Sequence, residues 1–407
     1  MFFYRTIKFI FSLLLVLLIT LNLFIILSGR FYLYKGIANT YLVGKTGPSI
    51  YDLRLSPYSK IYSTNKGLKA IRENDFVLPL KYDSLFKALD TKAFLVFKSD
   101  TMIYERYWGE HNQEVVSNSF SVAKTLVSIL VGIAIEDGYI NSLDDPVSMY
   151  LSEFSNSLNS NLKLRHLLSM SSGIDWDESG KNPFSDNAKS YYGSNLKGLI
   201  MSKKIKNTPG EIFRYQSGNT QLLSYIIESA TGKDLTKYAD EKVWSKIGLE
   251  HDLFWSLDKE DGDEKAFCCI YATARDYAKL GILLLNKGVY NNEHIVPDWY
   301  YNEMVSPQNI MTLDGTPNYR YGLHIWTYLD SKGKVNYCRG MHGQYIITIP
   351  KENIVIVRLG TKSKKRITVS NNDLQENNDF DEISLKLGHY PDLFNYINIA
   401  KLIASEY

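Results

Sequence analysis

Asn118-Ser119-Phe120-Ser121-Val122-Ala123-Lys124-Thr125-Leu126-Val127-Ser128-Ile129-Leu130-Val131-Gly132-Ile133-Ala134-Ile135-Glu136-Asp137-Gly138 is the stretch on which the reading of this chain turns. No proline interrupts it, Ser117 and Ser119 are N-cap candidates, and Gly138 supplies a stop, so a buried helix is expected from near Ser119. Residues three apart share a helix face, which puts Ser121 and Lys124 one turn apart with only Val122 and Ala123 between them. A serine hydroxyl is a weak nucleophile until a base takes its proton, and a lysine can be that base only if its pKa is lowered. Burial in an apolar helix lowers it, and the helix N-terminus brings positive dipole and N–H groups to where an oxyanion would form. The bland alternative is a core helix with a snorkelling lysine. S-x-x-K occurs seven times in the chain, yet only the copy at Ser121 opens a long uncharged apolar run.

The rest of the chain bounds the possibilities. With 407 residues, 45% hydrophobic and 22% charged, there is enough apolar material for one large domain or two intimate ones. A net charge of +2 from 46 basic and 44 acidic residues gives no basic stripe, so nucleic-acid binding has no electrostatic support. Cys268, Cys269 and Cys338 do not make a disulfide framework, adjacent cysteines being rare partners, and no histidine or cysteine spacing resembles a metal site. Phe9 to Gly29 carries no charge and as a helix would reach about 31 Å, enough to span a bilayer. Arg5 and Lys8 before it suit a cytoplasmic N-terminus, and no A-x-A-like cleavage site follows. We therefore expect a signal anchor over residues 1–35, an N-terminal extension over 36–90, and a domain over 91–407 outside the cytoplasm.

Within the extension, Gly44-Lys45-Thr46-Gly47 fails as a phosphate loop, because Asn39 stands where its first glycine belongs, and is read as an ordinary loop. Ala93–Phe97 and Thr101–Trp108, separated by Lys98-Ser99-Asp100, predict a hairpin. Leu164–Met170 is helical, and His166 in it is weighed as structural rather than as a base. Tyr215 sits in a short loop before an amphipathic run from Thr220 to Thr231. Residues 233–305 read as mostly helical. Tyr321–Trp326, Tyr345–Pro350 and Ile354–Leu359 return to strand character, Asn371–Asp381 is a polar loop, and Leu393–Ala404 is a closing helix.

Taken together, Ser121-Val122-Ala123-Lys124, Tyr215-Gln216-Ser217 and Arg339-Gly340-Met341-His342-Gly343-Gln344 ahead of two terminal strands resemble, in order and context, the serine β-lactamase and penicillin-binding superfamily. The likeness is to its class C β-lactamase-like branch, which includes 6-aminohexanoate-dimer hydrolase and related esterases. His166–Gly173, Asp175-Trp176-Asp177-Glu178, Thr208-Pro209-Gly210 and Ala272–Asp276 add to it, over residues 90–365. The resemblance implies an α+β fold: an antiparallel sheet flanked by helices, plus an all-α subdomain at roughly 140–260. It implies Ser121 as the acylated nucleophile, Lys124 as its proton acceptor and Tyr215 as the group that passes the proton on. It also implies an oxyanion hole from the backbone N–H groups of Ser121 and Met341, and substrate contacts from Ser217, Trp176, Arg339, Gly340 and His342. No cofactor and no metal is implied. Cys338-Arg339-Gly340 stands where relatives that bind β-lactams and cell-wall peptides carry a lysine-bearing triplet.

The resulting expectation is a serine hydrolase on the outer face of a bacterial inner membrane, held by one N-terminal helix and cleaving a small-molecule amide, ester or peptide. The alternatives are a D-peptidase or β-lactamase, or a non-catalytic sensor module on the same fold. G-x-S-x-G, the signature of another serine hydrolase class, is absent.

Overall fold

In a computed structural model of the chain, residues 2–68, 76–156, 159–330, 333–365 and 388–407 are described. The polar stretch Asn371–Asp381 lies outside them.

Two antiparallel sheets carry most of the strands; apart from them, β5 (Ile212–Phe213) pairs in parallel with β10 (Met311–Thr312), and β8 (Val289–Tyr290) pairs with β9 (Glu293–His294). The larger runs β11 (Trp326–Asp330), β12 (Gly333–Gly340), β13 (Gln344–Ile349), β14 (Ile354–Gly360), β2 (Thr91–Lys98) and β3 (Thr101–Tyr107), in that spatial order. The smaller runs β1 (Tyr58–Ile61), β6 (Leu253–Ser256), β7 (Ile270–Ala272) and β4 (Ser117–Asn118). Alternation along β2 shows why the large sheet is buried on both faces. Ala93, Leu95 and Phe97 enter the core shared with the Ser121 helix, while Phe94 and Val96 enter a second core under the C-terminal helix Pro391–Ser405. The expected hairpin is β2–β3. Residues 164–247, between β4 and β6, are mostly helical.

The Ser121 stretch begins with a 3-10 turn, Phe120–Val122, and continues as an α-helix over Ala123–Glu136, whose residues are buried from Ala123 through Ala134. Ser117 and Ser119 make no side-chain cap; Asn118 Oδ1 instead accepts from the Phe120 N–H at 2.8 Å. The first helix spans Phe2–Leu27 and is long and apolar enough to cross a membrane.

Three sequence expectations change. Residues 233–305 hold β6 and β7 as well as helices, because strands of four and three residues are too short to show an alternating pattern and take their identity from their partners β1 and β4. Tyr321–Ile325 precedes β11 rather than belonging to it. Cys268 and Cys269 are joined by a disulfide between neighbours, made possible where Cys269 takes φ +70° in a turn leading to β7.

Candidate active site

The Lys124 ammonium nitrogen is 3.0 Å from Ser121 Oγ and donates to the Phe267 carbonyl at 2.8 Å. Lys124 is 1% exposed, and burial brings its pKa down to about 8. A neutral amine has two N–H donors and one lone pair, so it can keep Phe267 as acceptor while presenting the lone pair to Ser121. Phe120, next to Ser121, takes φ +45°, a left-handed conformation that costs a bulky residue about 1–3 kcal/mol. Such strain at a turn presenting a hydroxyl is characteristic of functional sites.

Tyr215 closes the group. Its hydroxyl shares a hydrogen bond with Ser121, its ring lies 5.1 Å from Lys124 Nζ, and Trp326 stacks on it at 5.8 Å between centroids. Burial pushes its phenol up, so between the two groups facing Ser121 the lysine is the one poised to lose a proton near neutral pH.

Gly340 ends β12 against the turn that carries Ser121. A Cβ there would fall on the Ser119 carbonyl oxygen and lie 3.1 Å from the Phe120 Cβ, so only glycine lets the strand end this close to Ser121. Met341, the next residue, lines the same cleft as Ser121. The turn after it is held by buried Arg358, which donates at 2.8 Å to the carbonyls of both His342 and Gly343.

The remaining sequence candidates are placed differently. Ser217 does line the cleft with Ser121, but it bonds Glu178 rather than Lys124, its N–H and Oγ donating to that carboxylate at 2.6 and 2.7 Å. Trp176 is 2% exposed, wedged against Gly218, and cannot touch a ligand in the cleft; its indole N–H donates to Glu178 at 2.8 Å. Arg339 faces the opposite side of β12, with its guanidinium 3.2 Å from the Tyr390 ring centroid and its Nε donating to the Tyr345 hydroxyl. Its guanidinium is thereby held behind the sheet and outside the cleft lining, while its charge still acts on Tyr215. His342 bonds the Pro48 carbonyl through Nε2 at 2.9 Å and packs edge-on against Phe120, a brace rather than a wall. His166, weighed as structural, accepts the Lys163 N–H at its helix start.

Sequence reasoning missed Glu178. This carboxyl is buried, which raises its pKa, while Lys124 and donors from Ser217 and Trp176 pull the other way. It faces Lys124 across the site and favours the ammonium there. Its place directly after Asp175-Trp176-Asp177 was visible, but nothing local said which acid in that run turns inward. The cleft itself, about 470 Å³, is lined by Ser121, Glu178, Phe267, Cys268 and Met341, and also by Thr46 and Gly47 of the loop set aside above.

With this geometry in view, comparisons with known proteins bear on the fold and family. The family model described as Beta-lactamase matches residues 83–377. A 6-aminohexanoate-dimer hydrolase of Paenarthrobacter ureafaciens is 26% identical over 288 residues, covering 67% of this chain and 72% of that protein. Among solved structures, a Bacillus anthracis protein provisionally described as a 6-aminohexanoate-dimer hydrolase is 23% identical with a TM-score of 0.70, covering 88% of this chain and 93% of that one. A penicillin-binding protein from Bacillus halodurans is 18% identical with a TM-score of 0.56, covering 71% of this chain and 96% of that one. Since the model match extends over more than half of its residues, this chain belongs to the Beta-lactamase family of serine hydrolases.

Proposed function

We propose that this chain is a membrane-anchored serine hydrolase that cleaves an amide or ester bond through an acyl-enzyme on Ser121. The observation that carries the reading is the buried Lys124 amine, 3.0 Å from Ser121 Oγ with its pKa lowered to about 8. Lys124 takes the Ser121 proton as Oγ bonds the substrate carbonyl carbon, and the carbonyl oxygen becomes an oxyanion facing the N–H groups of Ser121 and Met341. Collapse expels the amine or alcohol, which leaves with a proton passed through Tyr215. Water then attacks the acyl group, gives its proton back through Tyr215 and Lys124, and releases a carboxylic acid with Ser121 restored.

Cys338 in place of the superfamily lysine, its thiol buried beside Thr125, and Arg339 engaged with Tyr345 and Tyr390 favour a substrate without an essential carboxylate over a β-lactam or cell-wall peptide. The apolar Phe2–Leu27 helix supports membrane anchoring, and Arg5 and Lys8 near its start support an outer location for the domain.

The test is covalent labelling of the full-length protein with a fluorophosphonate and, separately, a labelled penicillin. Phosphonate attachment at Ser121, absent in Ser121→Ala, is expected. Lys124→Ala should cut turnover of a phenyl ester by about a hundred- to ten-thousandfold with the fold retained by circular dichroism. Normal turnover in that variant would remove the mechanism, strong penicillin labelling would favour a cell-wall substrate, and no labelling by either reagent would favour a sensor module.

A further inference from the structure

The cleft that holds Ser121 is walled on one side by the segment that directly follows the membrane-length helix. Leu33, Ile37 and Tyr41 line it, a few residues beyond Leu27. This segment is fastened to the domain. The Tyr32 hydroxyl donates to the Pro183 carbonyl at 3.1 Å, Lys35 donates to Ser56 at 3.1 Å, and Phe24 near the end of the first helix meets Phe184 edge-on at 5.7 Å. Ile25 of that helix, Tyr32 and Leu33 are buried together in one apolar cluster that also takes in Ala188 and Tyr192. Leu33, Ile37, Ala188 and Tyr192 line the cleft as well, so apolar side chains of the cluster at the end of the first helix share one cavity with Ser121, Phe120 and Phe267. Among the described residues, Lys181 is the one cation in the cleft lining, and Arg339 is turned away from it. The wall thus offers an acyl chain apolar side chains to lie against and offers a carboxylate little.

Resting on the hydrolase reading above, we infer that the substrate is an ester or amide of a long-chain acyl group carried in the membrane, whose chain lies along Leu33 and Ile37 with its carbonyl at Ser121. The acyl group passes from its alcohol or amine to Ser121 Oγ and then to water, so the products are a fatty acid and the free head-group alcohol or amine. A membrane-borne chain reaches this wall by moving a short distance along the anchor, without crossing water.

The experiment uses the full-length protein in phosphatidylcholine vesicles with p-nitrophenyl esters from acetyl to palmitoyl. Each methylene buried along the wall is expected to raise kcat/KM by up to about fourfold until the cleft is filled. Ile37→Asp should reduce the decanoyl ester's kcat/KM at least about tenfold more than the acetyl ester's, because a carboxylate in the wall opposes chain burial and not the chemistry. A flat or falling series on an enzyme that still turns over the acetyl ester and labels at Ser121 overturns the acyl-chain inference and leaves the hydrolase reading standing. No turnover and no Ser121 labelling would overturn both. A vesicle-embedded ester hydrolysed faster than the same ester dispersed as monomer supports the membrane as source; the reverse order overturns it.

Discussion

Lys124 and Glu178 fix the pH behaviour of the site between them. In the proposed mechanism Lys124 serves as the base only when neutral, so below about pH 8 the ammonium form dominates and kcat/KM should fall about tenfold per unit as pH drops. The Glu178 charge favours that ammonium, so Glu178→Gln should move the rising limb of the pH–rate profile to lower pH. A limb that stays put or moves up would mean that Glu178 does not act on Lys124. Ser121, Lys124 and Tyr215 were legible in the sequence because a helical spacing of three and a loop before a helix are local facts. Glu178 and Trp176 were not. An acid and an indole in a polar loop both read as exposed, and only the packing of Gly218 against Trp176 turns the indole inward and makes the carboxyl its acceptor.

Between elements, the decisive contact is the end of β12 on the turn at Ser119–Ser121. Gly340→Ala pushes a methyl into the Ser119 carbonyl, and we expect a loss of about 1–3 kcal/mol of stability together with slower phosphonate labelling of Ser121. Unchanged labelling would show that the turn does not depend on this approach. The glycine before Met341 was visible in the sequence, and so was the β2–β3 hairpin, whose two runs sit around a three-residue break. β6 and β7 were invisible because runs of three or four residues are too short to show a period. The chain holds 30 tyrosines, a number that composition alone does not explain. In the fold, Tyr215, Trp326, Tyr337, Tyr345 and Tyr396 follow one another ring to ring from the site through the sheet to the C-terminal helix, at 5.8, 6.1, 6.0 and 5.5 Å.

At the scale of the whole molecule, the stretch expected as an extension is built into the domain. β1 adds an edge strand beside β6, the Ile50 carbonyl accepts from Asn118 at 2.8 Å, and Pro48 is tied to His342. Deleting residues 1–61 should therefore cost about 4.5–9 kcal/mol in a urea titration, from the lost burial of Ile25, Ile50 and Ile61, whereas deleting 1–30 should cost only the Ile25 share of about 1.5–3 kcal/mol. Equal losses would mean that the extension only rests on the domain. The Cys268–Cys269 bond has a different kind of consequence. It joins neighbours, so it encloses no loop and has almost no unfolded-chain entropy to remove. Its influence is confined to the cleft rim, where Cys268 lines the cavity one residue after the carbonyl that holds Lys124. A polypeptide matured among reducing thiols would carry two sulfhydryls there, and one matured outside would carry the bond. The rim is thus a record of where the chain was made, lighter by about two mass units in the bonded form, and protein harvested from a reducing cytoplasm is chemically another molecule at the mouth of its own site.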